Sequence, residues 1–332
     1  MDKSVATAPK EPSVRTIKKV RIGRNTYSRA EIWVGVLLLV PSIVFLVFTF
    51  VIPVVQVIEL SLTNFNMATG EMSFVGVRNY EYLLGNDRFW LAMWNTCKYS
   101  AAKLIFDTSL ALFIAVQLDK NVPLKKFLRS TYFAPVVVPM VASSLIWIWF
   151  YDPQVGPFNQ ILAALGQALN KIRSLLGLSA LPLPQLKWLY SEHTAMISIL
   201  LFSIWKGLGY NVVLFLSGLQ NISDSYLEAA RLDGANEWQL FWKVKFPLLR
   251  PITNFVVIMC IINSFKVFTE INVMTPNGGP LGSTRLIVSY IYEQAFTNGR
   301  MGRASAAALL LFVVIFILTQ IRSAMDARKS VD

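Results

Sequence analysis

The sequence predicts an all-α integral membrane protein with six transmembrane helices and with both termini in the cytoplasm. Hydrophobic residues make up 55% of the 332 residues and charged residues only 15%, whereas roughly a quarter of the residues in a soluble domain are charged. The apolar residues lie in long runs that can cross a bilayer. Lysine and arginine are concentrated in alternate connecting segments, as is typical of membrane proteins whose basic loops stay in the cytoplasm.

Six apolar runs supply the predicted spans, which are residues 32–58, 89–117, 130–151, 194–218, 251–272 and 303–321. The first run has 27 residues without a charge, which is too long for the apolar part of a signal peptide. The second run is the weakest, because it contains Lys98, Lys103 and Asp107. Uncharged runs of this length predict helices that span the membrane.

The basic residues predict the orientation. With the N-terminus inside, 19 of the 31 lysines and arginines fall in cytoplasmic segments, 8 fall in external segments and four lie within spans. This bias predicts a basic cytoplasmic tail over residues 1–31, a six-helix transmembrane domain over 32–322 and a cytoplasmic tail over 323–332. It also places the polar segment 219–250, between the fourth and fifth spans, in the cytoplasm.

The residue inventory argues against chemistry carried out by this chain. The two cysteines, Cys97 and Cys260, fall in apolar runs and have no spacing that suggests a metal site or a disulfide framework. His193 is the only histidine, and no phosphate-binding loop motif or nucleophile elbow is present. The sequence therefore predicts a non-catalytic membrane protein without a cofactor of its own. The net charge of +12 reflects membrane topology, and it does not indicate nucleic-acid binding.

The segment 219–250 predicts two short helices joined by a tight bend. Ser225 and Glu228 have the spacing of a capping box, which predicts that a helix begins at Ser225. Gly234 suits the left-handed residue that ends a helix. Asn236 and Gln239 repeat the capping-box spacing, so a second helix is expected to follow at once.

The same segment contains a motif of fixed spacing. It reads Glu228-Ala229-Ala230, three residues, Gly234, nine residues, then Val244, one residue, Phe246 and Pro247. This pattern resembles the EAA loop of ABC importer permeases. Leu232-Asp233-Gly234 and Trp238 resemble the sugar-type, binding-protein-dependent branch of that family. In the family the loop is the coupling helix that docks on a cytoplasmic ATPase, so the resemblance assigns an ATPase-coupling role to Glu228, Ala229, Ala230, Asp233, Gly234 and Pro247.

The resemblance also implies partners. It implies a homologous second permease subunit, a dimer of ATPase subunits that bind ATP and magnesium, and a periplasmic or extracellular solute-binding protein that delivers a sugar. The expected location is the bacterial cytoplasmic membrane. The alternative of a stand-alone secondary carrier would predict an inverted repeat with interrupted helices, and no such repeat is evident in the sequence. A membrane enzyme is disfavoured by the absence of catalytic clusters.

Charged residues inside the spans suggest where a substrate passes, because such residues usually face a cavity or a partner. Lys206 lies in the middle of the fourth span and shares a helix face with Ser203, Gly207 and Tyr210. By resemblance to the family, this face contributes to the substrate site. On the fifth span the polar candidates are Asn263, Ser264, Lys266 and Glu270, with Lys266 and Glu270 spaced to form an ion pair.

Two interpretations of these charges remain open at this stage. A positive lining around Lys206 would favour an anionic, uronic-acid-containing oligosaccharide. An internal ion pair of Lys206 with Asp107 or Glu270 would leave the path neutral and favour a neutral di- or oligosaccharide. A glycerol phosphate-type solute is a further alternative.

Overall fold

A computed structural model describes residues 19–22, 25–67, 69–120, 124–183 and 185–329, and these residues are mostly helical. The predicted tails lie partly outside the described residues. The chain divides into two compact units, Met1–Val57 and Ile58–Asp332.

The described residues of the first unit begin with a hairpin that the all-helical prediction did not anticipate. Strand β1 (Lys19–Ile22) pairs antiparallel with β2 (Asn25–Ser28), and Val20 lies opposite Tyr27. Helix α1 (Arg29–Leu46) follows and continues through a π-helical turn at Val47–Val51. That turn ends two residues before Pro53, which has no backbone N–H to continue an ordinary α-helical ladder. Helix α2 (Ile52–Ser61) then crosses the boundary between the units.

The second unit contains the remaining helices of the described residues. Those before residues 219–250, which we call the coupling segment, are α3 (Arg78–Leu84), α4 (Asp87–Asp119), α5 (Lys125–Val137), α6 (Met140–Phe150), α7 (Pro157–Leu175) and α8 (Ala195–Gln220). The coupling segment contains α9 (Asp224–Leu232), α10 (Glu237–Leu240), a π-helical turn (Phe241–Lys245) and α11 (Phe246–Leu248). Then follow α12 (Arg250–Phe265), α13 (Thr269–Met274), 3₁₀ turns at Pro276–Gly278 and Pro280–Gly282, α14 (Ile287–Tyr292), a π-helical turn (Glu293–Thr297) and α15 (Met301–Lys329).

Four helical stretches of the described residues are long and apolar enough to cross a membrane without interruption. They are Trp33–Ser61, Asp87–Asp119, Ala195–Gln220 and Met301–Asp326. Two further pairs of helices, Phe127–Val137 with Met140–Phe150 and Glu237–Leu248 with Arg250–Phe265, are bent by 100° and 67° and would bring the number to six if each pair is one span. Four of the predicted spans are therefore continuous helices.

The predicted third span, residues 130–151, is wrong as a continuous helix. Helix α5 ends at Val137, Val138 is extended, and α6 begins after Pro139. Proline has no N–H to donate to the preceding turn and restricts the residue before it to extended conformations. The apolar run is long enough to cross a membrane, but its proline turns the chain.

The predicted fifth span, residues 251–272, is also interrupted. Helix α12 ends at Phe265, Phe268 has non-helical angles, and α13 begins at Thr269. Asn263 and Ser264 therefore do not share one continuous helix with Glu270. Lys266 and Glu270 flank the break and form no ion pair, which corrects the expected pairing at helical spacing.

Helices α4 and α8 form the centre of the second unit. Their side chains pack together in one buried cluster, which consists of Ala111, Ala115, Leu118, Val212, Phe215, Leu216 and Leu219. Leu249, just before α12, and Val256 within α12 belong to the same cluster. Gly218 permits this contact, because a Cβ there would lie 2.9 Å from side-chain atoms of Leu249 and Ile252. The coupling segment thus leaves α8 and returns to pack against its end.

Candidate functional site: the coupling segment and an intramembrane polar cluster

Helix α9 ends in a well-formed cap at Gly234. The N–H of Ala235 donates to the carbonyl of Ala230 and the N–H of Gly234 donates to that of Arg231, both at 3.0 Å, which is the hydrogen-bond pattern of a Schellman motif. Gly234 has φ +83°, a left-handed conformation that side chains disfavour. The predicted glycine cap is therefore confirmed.

The second predicted cap is confirmed and the first is wrong. Asn236 and Gln239 form a complete capping box at the start of α10. Helix α9, by contrast, begins at Asp224 after Ser223, and no side chain caps it. The Ser223 and Ser225 hydroxyls lie 2.8 Å apart and hydrogen-bond with each other. This pairing uses the hydroxyl that the predicted box required.

The EAA residues present a polar and small surface. Glu228, Ala229 and Asp233 are exposed and Ala230 is half-buried, all on or at the end of α9. Pro247 lies in α11, two residues after the π-helical turn, and is also exposed. The bend between α9 and α10 brings Arg231 within 3.4 Å of Glu237. The arrangement is a short exposed helix whose exit is set by the cap at Gly234.

The coupling segment is tied to the bundle by an ion pair. Lys245 Nζ lies 2.9 Å from Asp119 Oδ2, at the end of α4. Both side chains are mostly buried, with exposed fractions of 17% and 20%. The ion pair therefore joins the segment to one of the two central helices.

Within the spans, a buried polar cluster joins α8 to its neighbours. The hydroxyl of Ser203 donates to Glu270 Oε1 at 3.1 Å, and both residues are buried. Lys206 Nζ donates to the carbonyl oxygens of Pro135, Val136 and Val138 at the end of α5. The structure therefore brings Ser203, Lys206 and Glu270 of the predicted site into the interior.

The charges of the cluster are balanced mainly by contacts other than the predicted ones. Lys103 Nζ lies 3.9 Å from Asp107 Oδ2 on the same helix and donates to the carbonyl of Ser203 at 2.8 Å. The predicted ion pair of Lys206 with Asp107 or Glu270 is not formed, because the Lys206 ammonium is directed at backbone carbonyls. Gly207 faces the Lys103–Asp107 pair, since a Cβ there would lie 3.6 Å from Asp107 Oδ2 and 3.7 Å from Lys103 Nζ.

The other predicted substrate residues differ in their exposure. Tyr210, Asn263 and Lys266 are exposed in the isolated chain. Ser264 is buried and donates to the carbonyl of Ile261 in its own helix. The predicted substrate face is thus divided between a buried half and an exposed half.

The sequence analysis did not single out Tyr99 or Asn95 on α4. Both line an open cavity of about 510 Å³, whose wall also includes His193, Leu281 and Ser283. Asn95 donates to the carbonyls of Gly282 and Arg285, and therefore anchors the loop between α13 and α14. Both are polar residues in the first half of the second predicted span, and this was the sequence signal that could have identified them.

The connection after α6 is a compact turn. The carboxylate of Asp152 accepts the N–H groups of Gln154 and Val155, which hold the pKa of that carboxyl below its ordinary value. A Cβ on Gly156 would lie 2.4 Å from the carbonyl oxygen of Asp152. Asn159 is buried and bonds to Pro153, Leu186 and Trp188. These contacts explain why Asp152, Gly156 and Asn159 occupy their positions in the turn.

Among the described residues, no group of three or more histidine, cysteine, aspartate or glutamate side chains could hold a metal ion. The features present are membrane-crossing helices, a buried polar cluster and an exposed helical hairpin of fixed geometry. Together they define the membrane-embedded permease subunit of a transport system.

The chain belongs to the family described as binding-protein-dependent transport system inner membrane component, whose profile matches residues 108–331. It is a sugar-type ABC importer permease and a multi-pass inner membrane protein. It is similar to the multiple sugar-binding transport system permease protein MsmF of Streptococcus mutans, with 33% identity over 316 residues that cover 95% of this chain and 100% of the relative. It is also similar to the arabinooligosaccharides transport system permease protein AraP of Bacillus subtilis, with 32% identity over 83% of each chain.

Solved structures have the same fold. The chain is similar to a bacterial ABC transporter involved in the import of the acidic polysaccharide alginate, with a TM-score of 0.72, 20% identity and coverage of 90% of this chain and 96% of that chain. At this identity the likeness establishes the fold alone.

Proposed function

We propose that this chain moves an oligosaccharide into the cytoplasm as one half of a translocation pore that is driven by a cytoplasmic ATPase dimer. The observation that carries the proposal is the exposed α9 with its fixed bend at Gly234 and its buried anchor to α4. ATP and magnesium would be bound by the ATPase subunits. A homologous permease chain would form the other half of the pore, and a solute-binding protein outside the membrane would deliver the sugar.

This function requires the coupling segment to lie in the cytoplasm. The excess of basic residues in the N-terminal tail, the 118–130 connection, the coupling segment and the C-terminal tail favours that orientation. If each bent helix pair contributes one crossing, the six crossings would put both termini on the same side as the segment. An ATPase could then reach Glu228 and Ala229 without passing the membrane.

The charge arrangement favours a neutral oligosaccharide over an anionic one. The buried polar cluster around Ser203 and Gly207 contains two cations, Lys103 and Lys206, and two anions, Asp107 and Glu270, so the formal charges of the cluster sum to zero. Lys206, which motivated the anionic alternative, donates its hydrogen bonds to backbone carbonyls. An acidic sugar would need a lysine free to make charge-assisted hydrogen bonds. The names of the relatives, which refer to multiple sugars and arabinooligosaccharides, support a sugar without requiring a charge.

The test is transport by the reconstituted complex in proteoliposomes, with the cognate binding protein and matched neutral and uronic-acid-containing oligosaccharides of equal length. We expect uptake and stimulated ATP hydrolysis with a neutral member of the panel. Stimulation by the acidic member alone would contradict the neutral assignment. Transport by the permease without any ATPase subunit would overturn the coupling role itself.

A further inference from the structure

The bend between α5 and α6 leaves backbone carbonyls at the end of α5 without partners in their own helix. The last four carbonyls of a helix have no partner within that helix. In lipid such groups must be satisfied inside the protein, because no water is available to them. The residues that follow α5 do not supply the donors, since Val138 is extended and Pro139 has no N–H. Donors must therefore come from another element.

Lys206 supplies these donors. An ammonium group has three N–H donors, and Lys206 Nζ donates to three carbonyls, those of Pro135, Val136 and Val138, with the Val136 oxygen at 3.3 Å. The side chain is only 8% exposed. A cation at this place also faces the negative end of the α5 dipole. Its charge is therefore stabilised without a carboxylate.

The backbones of α5 and α8 approach closely at the same level. A Cβ on Gly209 would lie 2.0 Å from the carbonyl oxygen of Tyr132. Gly209 follows Lys206 by three residues, so the glycine and the lysine lie on adjacent turns of one face. Gly209 allows α5 and α8 to pack in contact. This contact brings the carbonyls at the end of α5 within reach of the Lys206 ammonium.

The same face of α8 also holds the element beyond the second bend. Ser203, one turn from Lys206, donates to Glu270 at the start of α13. Helix α13 packs against α6, the second half of the broken third span. Both interrupted segments are thus positioned by side chains that lie one turn apart on a single continuous helix.

We propose that Lys206 is a positioning residue of the transport cycle. Its tethered ammonium binds the carbonyls of Pro135, Val136 and Val138 at the break of the third span and so maintains the bend between α5 and α6. The inference builds on the proposed transport function but concerns a structural state that can be measured without transport. Lys206 is then no carboxylate contact for the cargo. Glutamine is a poor substitute, because its amide has two N–H donors and brings an additional acceptor.

The experiment uses Lys206→Ala in the full complex with Cys97 and Cys260 replaced by serine. Spin labels at Phe127 and Trp149, both exposed, report the distance between α5 and α6. We expect a broader or shifted distance distribution and at least a tenfold loss of transport. The matched control is Lys171→Ala, an exposed lysine on α7, which should change neither quantity.

Chemical rescue separates the tethered cation from general misfolding. n-Propylammonium replaces the atoms that Lys206→Ala removes, and it should restore both the distance distribution and part of the transport rate. Tetramethylammonium and 1-propanol should not, since the first has no N–H donor and the second has no charge. An unchanged distance distribution in Lys206→Ala would overturn the proposal, whether transport is lost or retained. A changed distance distribution that n-propylammonium does not correct would also contradict the proposal.

If the chain transports nothing in the assay, the spin-label distances and their rescue still decide the role of Lys206. Failure of the transport proposal and failure of this inference are therefore distinguishable.

Discussion

The ammonium of Lys245 lies 2.9 Å from the carboxylate of Asp119 and so connects the coupling segment to the end of α4. The contact joins residues that are 126 positions apart in sequence. It links the part of the chain that faces the proposed ATPase to a helix that carries Tyr99, Lys103 and Asp107 of the interior. The pair is therefore a direct contact between these two parts of the chain.

We expect Lys245→Asp or Asp119→Lys alone to reduce the number of substrate molecules moved per ATP hydrolysed. Each leaves two like charges in a mostly buried place, at a cost of about 1–2 kcal/mol, or roughly 5–30-fold in an equilibrium. The double reversal should recover most of the coupling. Uptake and ATP hydrolysis measured on the same proteoliposomes check this. Equal losses in the single and double variants would show that the pair itself is not responsible.

Gly234 offers a test of backbone conformation without a steric clash. No atom lies within 4 Å of the position that a Cβ would take, but φ is +83°. Gly234→Val should therefore impair coupling through backbone strain of about 1–2 kcal/mol. Gly234→Asn should be tolerated, because asparagine enters this region readily.

The measurement is substrate-stimulated ATP hydrolysis, with membrane abundance of each variant as the control. Ala229→Trp, which enlarges the exposed face of α9, should uncouple the complex without loss of abundance. Full coupling in Gly234→Val would mean that the bend angle is unimportant.

Gly209 and Gly207 form a matched pair on α8. A Cβ on Gly209 would meet the Tyr132 carbonyl at 2.0 Å, whereas one on Gly207 would meet its nearest neighbours at 3.6 and 3.7 Å. Gly209→Ala should separate α8 from α5 and lower stability by about 1–3 kcal/mol, the usual range for overpacking. Gly207→Ala should change it little. Thermal unfolding of the purified variants in detergent distinguishes them, and equal melting temperatures would refute the close contact.

The orientation is tested by labelling single thiols in intact cells or spheroplasts, in a variant with Cys97 and Cys260 replaced. Cysteines at Ser73 and Ala168, both exposed and in predicted external segments, should react with an impermeant reagent. A cysteine at Ser225, exposed in the coupling segment, should react only after the membrane is permeabilised. Labelling of Ser225→Cys from outside would reverse the proposed topology. Ser330, which offers a further test position at the C-terminal end, lies outside the described residues.

The sequence by itself determined the features that depend on local interactions. The long apolar runs predicted four continuous spans to within about three residues of their observed ends, except that α15 continues to Lys329, beyond the predicted end at residue 321. The Asn236–Gln239 capping box and the left-handed Gly234 involve hydrogen bonds over three to five residues, so their spacing was sufficient to predict them. The EAA spacing likewise identified the family.

Only the tertiary structure decided where the intramembrane charges are directed. Hydropathy cannot distinguish a continuous span from two half-helices, so the break at Val138 and Pro139 was missed although the proline was visible. Once the break exists, unpaired carbonyls become the partners of Lys206, 71 residues away from Pro135 in sequence. The sequence predicted a buried lysine that needs a partner, but backbone carbonyls occur at every residue and leave no mark in a sequence. Only the packing of α5 against α8 selects which of them the ammonium meets.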